Sequence, residues 1–326
     1  MVEQIKKNLY QIIIPLPGNP LRTLNSYVIT SDERNLIIDT GFNMPECLVA
    51  LEAGIAELGL DMTKTDILAT HLHSDHIGLI AKVMSESTEV LMGRVDSEIL
   101  EKALTPGTSY WDIAEQKFIV EGYPKDEMAR TKQANPGRKY APSGNFKRTT
   151  LEEGDRVAYG DFVFDVILTP GHTPGHICLY DQAQKLFISA DHLLFDITPN
   201  ISWWHELEDG FGSYLDSLQK IAPLDVELTL TGHRKNEGNF RQRIVELQQH
   251  HDARLQDVLD IVRASPGVSG YDIAARMPWS ITTTWEDFPP GQRWFAVGEA
   301  ITHIEHLVKL GKLTRTVESG VHVYRV

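Results

Sequence analysis

The 326-residue chain predicts an α/β fold, a sandwich of sheets covered by helices, followed by a smaller, mostly helical domain. Three observations carry this. Short apolar runs of strand length alternate with amphipathic stretches of helical period. Five of those apolar runs end directly in polar residues, and α/β architectures gather their active sites at the C-terminal ends of strands. Beyond about residue 236 the strand rhythm stops, and three helical segments and a hairpin close the chain.

Taken in order, YQIIIP, NSYVIT and NLIID between Leu9 and Asp39 are strands, with a tight turn at Glu33 to Asn35 and Gly41 ending the last. Leu48, Leu51, Ile55 and Leu58 share a helical face that Gly59 closes. The strand DILAT runs into HLHSDH, and a helix from near Ile77 and the strand EVLM follow. Residues 93–150 break the alternation as a helical and loop insertion, with helices near Asp96 to Leu104 and Trp111 to Val120 and a loop at NPGRKYAPSGN. Strands resume at RVAYG, DFVFDVILT, CLYD, KLFISA and LTLTG. A long helix from Asn239, the short helix YDIAARM, a helix carrying Val297, Ile301, Ile304 and Val308, and the hairpin KLTRTVESGVHVYRV then stand in the order of a winged helix. Residues 1–235 are therefore the expected catalytic domain and 236–326 the winged-helix-like one.

Composition narrows the class. Hydrophobic residues at 42% and charged residues at 23% fit a globular core, and the net charge of −14 disfavours a surface built to coat nucleic acid or an anionic membrane. Against that background Lys117 to Thr150 carries eight Lys/Arg and three Asp/Glu, a local +5. It is expected as a solvated insertion or, more sharply, as an anion-binding lid. The two cysteines, Cys47 and Cys178, form no CxxC pair and suit a reducing compartment. The apolar stretch before Pro15 is too short for a signal peptide core and no run is long enough for a membrane span, so the expectation is soluble and cytoplasmic.

His71-x-His73-x-Asp75-His76 is the strongest chemical signal. In extended backbone His71 and His73 point the same way, so both imidazoles can reach one ion at about 2.0–2.1 Å. Asp75 and His76 lie past a bend at Ser74 and can serve a second ion beside it. Thr169-Pro170-Gly171-His172-Thr173-Pro174-Gly175-His176 follows a strand, and its Pro-Gly turn would hold His172 at the sheet edge as a third ligand. His176 is expected behind the ligands rather than among them. Asp191 ends KLFISA, where a carboxylate can bridge two cations, and His233 in Thr231-Gly232-His233 would complete the second site. Asp39, ending NLIID, is expected to orient a ligand imidazole.

These motifs resemble the metallo-β-lactamase superfamily: THLHSDHIG its HxHxDH signature, LTPGHTPGH its second histidine motif, ISAD and TGH its bridging aspartate and last histidine. The resemblance covers about Leu9 to His233 and implies an αββα metallo-β-lactamase-type sandwich. By motif, His71, His73 and His172 would bind the first metal, Asp75, His76 and His233 the second, and Asp191 both. Two positions depart from the pattern. Ala190 stands where glycine is usual before the bridging aspartate, and Arg234-Lys235 where Gly-Pro commonly follows the last histidine. PLPGNPLRTLNSYVI and the C-terminal tail are also similar to the branch of lactamase-β-2-like and glyoxalase II-like hydrolases.

The resemblance implies a hydroxide, activated by two divalent metal ions, attacking a carbonyl or phosphorus, with Asp75 orienting the nucleophile and moving a proton. The ligand set suits zinc and tolerates iron or manganese. The expected substrate is a small anionic molecule, a thioester or other acyl ester whose carrier the +5 segment could hold. The alternatives are endoribonuclease action and a persulfide dioxygenase with one iron. Residues 234–326 hold 12 Lys/Arg and 11 Asp/Glu, and the last long helix carries Glu299, His303, Glu305 and His306, a poor face for nucleic acid. That domain is expected to serve packing or homodimerisation.

Overall fold

Successive residues of a strand face opposite sides, so a sheet covered on both faces reads as an unbroken apolar run. The computed structural model describes residues 1–105, 107–108, 110–281 and 283–326 and shows this pattern in its first sheet. Seven strands lie in the order β1 (Val2–Lys6), β2 (Leu9–Pro15), β3 (Thr23–Ile29), β4 (Asn35–Ile38), β5 (Thr65–Ala69), β6 (Val90–Gly93) and β7 (Thr149–Leu151). Pairing is antiparallel from β1 to β4 and parallel from β4 to β7. Ile37, Ile67, Ala69, Val90 and Met92 face a core shared with α1 (Pro45–Glu57), α2 (Ser74–Ile77), α3 (Ile80–Val83) and α4 (Arg94–Leu104). The intervening Leu36, Ile38, Leu68 and Leu91 face the other way.

That second core is shared with a five-stranded sheet in the order β12-β11-β10-β9-β8, built from β8 (Arg156–Tyr159), β9 (Phe162–Leu168), β10 (Ile177–Asp181), β11 (Leu186–Ala190) and β12 (Leu228–Thr231). Phe164, Val166, Leu179, Ile188 and Leu230 fill the space between the sheets. Only β11 and β12 pair in parallel there. The expected sandwich of mixed sheets is thus present.

The chain forms two compact units that are not contiguous in sequence. The first comprises Met1–Pro106, Tyr140–Pro199 and Pro223–Phe240; the second comprises Gly107–Lys139, Asn200–Ala222 and Arg241–Val326. The second unit thus takes in part of the 93–150 insertion and residues 200–222 as well as the C-terminal segment. It contains α5 (Tyr110–Val120), α6 (Lys125–Ala134), α7 (Pro136–Lys139), α8 (Gly210–Ile221), most of α9 (Phe240–Ala264), β13 (Val268–Ser269), α10 (Gly270–Arg276), α11 (Pro290–Lys309) and the hairpin β14 (Thr314–Glu318)–β15 (Val321–Arg325). Phe118, Tyr123 and Met128 pack in one core with Val262, Trp294 and Ile301.

One expectation changes here. Of the cations in 117–150, Lys117 pairs with Glu305 as well as with Glu121 of the same segment, Lys132 and Arg138 with Glu115, and Arg148 with Glu101, so three acids outside that window offset much of the +5. The last long helix, α11, is a core helix of its unit, with Trp294, Val297, Ile301, His303 and Ile304 buried. Among the described residues no helix is long and apolar enough to cross a membrane.

Candidate metal centre

The site is assembled from the ends of four strands, all in the first unit. β5 delivers Thr70 and His71, and His73 caps the one-turn α2, so Ser74 begins the bend that carries Asp75 and His76 back beside His71. The end of β9 leads to His172, β11 to Asp191 and β12 to His233. All are buried except His73, which is partly so. The structure thus brings together all seven residues singled out in the sequence.

Their ligand atoms form three overlapping groups, each within 4.8 Å: His71, His73 and His172; His71, His76 and Asp191; Asp75, His76 and His233. His71 Nε2 lies 3.1 Å from His73 Nδ1. Asp191 stands between the groups, Oδ1 3.6 Å from His76 Nε2, and Oδ2 3.7 Å from His172 Nε2 and 3.3 Å from His233 Nε2. Asp75 Oδ2 is 3.4 Å from His233 Nε2. A charge-assisted hydrogen bond would close to about 2.7–2.9 Å. Two ligands each about 2.0–2.1 Å from one tetrahedral ion stand about 3.3 Å apart. The observed spacings suit the second arrangement. Among the described residues the buried His76 Nε2, His233 Nε2 and Asp191 Oδ1 have no hydrogen-bond partner, a costly state that an ion would relieve. Residues present therefore fit a divalent metal.

The opposite side of each ring is fixed. His76 Nδ1 is 2.7 Å from Asp39 Oδ2, and the same carboxylate accepts from Thr70 N–H at 2.9 Å and Thr70 Oγ1 at 2.8 Å. His233 Nδ1 is 2.7 Å from the Thr23 carbonyl oxygen. Asn25 Nδ2 and Tyr27 Oη donate to the Thr231 carbonyl at 3.0 and 2.7 Å, tying the Thr231-Gly232-His233 turn to β3. His176 stays behind the cluster, Nδ1 2.8 Å from Thr169 Oγ1, its ring stacked on His71 with centroids 5.1 Å apart.

Electrostatics divide the cluster. Burial, reinforced by neighbouring imidazoles, pushes His71 far down and His73 to about 3, leaving them neutral as ligands must be. Burial would also lower His76 and His233 and raise Asp75 and Asp191, but the carboxylate–imidazole pairs override it. Asp75 is held at about 2 and Asp191 well below the carboxylate range, while His233 rises to about 10 and His76 well up. A cation entering beside them would expel those protons.

Both departures from the family pattern fall on left-handed backbone: Ala190 has φ 43° and Arg234 φ 64°. Glycine is easiest there, which accounts for its usual presence. Asp96 is the residue that sequence reasoning missed. Fully buried, it accepts from Leu72 N–H at 2.9 Å, Thr173 Oγ1 at 2.6 Å and Gly175 N–H at 2.5 Å. In sequence it is an acid in the first turn of a helix, a position whose ordinary reason is the helix dipole.

Two stacked mixed sheets with a histidine–aspartate cluster at their strand ends define a metallo-hydrolase. The metallo-beta-lactamase superfamily pattern matches residues 20–233, and that of the metallo-beta-lactamase-like, C-terminal domain matches 287–326. The chain belongs to the metallo-beta-lactamase superfamily. It is 24% identical over 289 residues to a beta-lactamase-like protein 2 homolog of Caenorhabditis elegans, covering 86% of this chain and 82% of that one. It is 26% identical over 222 residues to the acyl-coenzyme A thioesterase MBLAC2 of Homo sapiens, covering 64% and 72%. A metallo-beta-lactamase family protein of Thermus thermophilus shares the fold, with TM-score 0.83, 24% identity and 99% of each chain covered.

Proposed function

We propose that the chain hydrolyses a small acyl thioester, or another acyl ester, with two divalent ions, zinc first among them. The position of Asp191, one oxygen toward His76 and the other toward His172 and His233, carries this reading, because a carboxylate so placed suits two cations rather than one. His71, His73 and His172 would hold the first ion, Asp75, His76 and His233 the second, and Asp191 would serve both. Such a pair, when bound, lowers the pKa of a shared water from 15.7 toward about 7.

The chain's own residues supply orientation. Asp39 and the Thr23 carbonyl fix the outward ring nitrogens of His76 and His233, so each Nε2 faces inward. Asp75, ionised and buried beside His233, can accept a hydrogen bond from the attacking water and move its proton to the leaving group. A thioester substrate with an anionic carrier is supported by the thioesterase named above, and the buried Cys47 and Cys178, neither in a disulfide, suit a reducing, cytoplasmic setting. Nucleic acid fits less well, since α11 spends its polar side chains internally: Glu299 on Asn200 and Arg254, Glu305 on Lys117 and Arg315.

The test is elemental mass spectrometry on protein purified without added metal, followed by coenzyme A and glutathione thioesters and an RNA oligonucleotide as substrates. Two ions per chain and thioester turnover are expected. One iron per chain, with oxygen consumed on a persulfide, would overturn the hydrolase reading; RNA cleavage without thioester turnover would overturn the substrate class.

A further inference from the structure

The first triad is spread over two loops that start from different sheets. His71 and His73 follow β5, while His172 sits in the turn after β9. A metal binds tightly only if such loops are held in register before it arrives, since otherwise its binding free energy is spent ordering them.

Asp96, at the third position of α4, touches both. Leu72, whose N–H it accepts, lies between His71 and His73. Thr173, whose hydroxyl it accepts, directly follows His172, and Gly175 N–H comes from the same turn. Two glycines permit the approach. A side-chain carbon on Gly93 would overlap the Gly175 carbonyl, and one on Gly175 would overlap the Asp96 backbone nitrogen. A fully buried carboxylate is expensive unless its oxygens are satisfied, and here these three donors all come from ligand-bearing loops.

We propose that Asp96 is a positioning residue that sets the first metal site alone, while His76 of the second is held by Asp39. The inference rests on the two-ion reading. Asp96 reaches only the first triad, through the backbone and hydroxyl beside His71, His73 and His172, whereas Asp39 holds His76 directly and touches the first triad only through Thr70, whose Oγ1 is 3.1 Å from His71 Nδ1.

The test is titration of the metal-free chain with Zn(II) by calorimetry and with Co(II) by visible absorption, in wild type, Asp96→Asn and Thr173→Val. Asparagine keeps the size of the side chain but turns one acceptor into a donor facing Gly175 N–H or the Leu72 and Thr173 donors. Wild type should fill two sites. Asp96→Asn should retain one at wild-type affinity and weaken the other about 10–100-fold, with a changed Co(II) spectrum for that site. Thr173→Val should weaken the same site by less. Repeating the titration in a His233→Asn background, which removes a ligand of the second triad, identifies the weakened site as the first. Equal weakening of both sites, or of neither, in variants whose metal-free circular dichroism matches wild type, overturns the role of Asp96. If Asp96→Asn does not fold, Thr173→Val must still weaken one site alone. Saturation of the wild type at one ion would overturn the dinuclear reading itself.

Discussion

Gly232 sits between the last strand and His233, and its importance is one of space. Its backbone is not in the left-handed region, but a side-chain carbon there would overlap Asp191 Oδ1 and stand 3.1 Å from His76 Cε1. Neither neighbour can give way: Asp191 is shared among three imidazoles and His76 is pinned by Asp39. Ala190 presents the opposite case, a residue with a side chain on strained backbone that tolerates it. Gly232→Ala should therefore keep the fold and lose metal affinity by at least about tenfold, because ligand geometry degrades on displacements well under an ångström. Calorimetric Zn(II) titration with a thermal melt of the metal-free chain checks this, and wild-type affinity in a folded variant would refute it.

At the scale of elements, legibility followed burial. The middle strands of the first sheet announced themselves because both faces are covered, as in DILAT and NLIID. The ligand segments did so because histidines in such density have few structural explanations. β1 (VEQIK) was not visible, since an edge strand with exposed Glu3 and Gln4 has no apolar run. α8 hid behind Gly210 and Gly212, although Phe211, Tyr214, Leu218 and Ile221 are its buried face. α6 has only Met128 and Thr131 buried, too little apolar face to signal a helix. The single helix expected after His76 is two one-turn helices, broken where Gly78 packs against the Asn43 backbone and the Gly41 carbonyl. The excess positive charge of 117–150 left an anion-binding lid open beside a solvated insertion, because sequence cannot show that Glu101, Glu115 and Glu305 neutralise much of it. A solvated lid and a core element make different predictions at Phe118, which is 1% exposed with its ring centroid 4.0 Å from that of Trp294. Phe118→Ala should cost about 3–5 kcal/mol in denaturant unfolding. A loss under about 0.5 kcal/mol, as for a surface site, would return the segment to the role of a lid.

Across the whole molecule, chemistry and spectroscopy are divided between the units. All seven proposed ligands lie in the first, and all six tryptophans, Trp111, Trp203, Trp204, Trp279, Trp285 and Trp294, lie in the second. Tryptophan fluorescence therefore follows the second unit, which contains its own buried imidazoles. His303 Nδ1 is 2.7 Å from the Glu299 carbonyl, so it must donate, which leaves His303 Nε2 to accept from His251 Nδ1 at 3.1 Å. Protonating His303 would set two N–H groups against each other. Burial pushes His303 down to about 3 and His251 well below its usual range, helped in both by Arg254 and His250 and in His251 by His303. An unfolded histidine titrates near about 6.5, so as pH falls the unfolded chain takes up the proton first. Stability from this pair is complete above about 6.5 and is lost from there toward about 3, with a slope of at most about 1.4 kcal/mol per pH unit for each histidine. In His303→Asn the side chain at 303 can no longer titrate. The fluorescence-monitored urea midpoint of the variant, itself lower because a packed ring is gone, should then fall less steeply between pH 6.5 and 4.5 than that of the wild type. Parallel acid limbs would mean that the acid sensitivity of this unit lies elsewhere than in the imidazole pair.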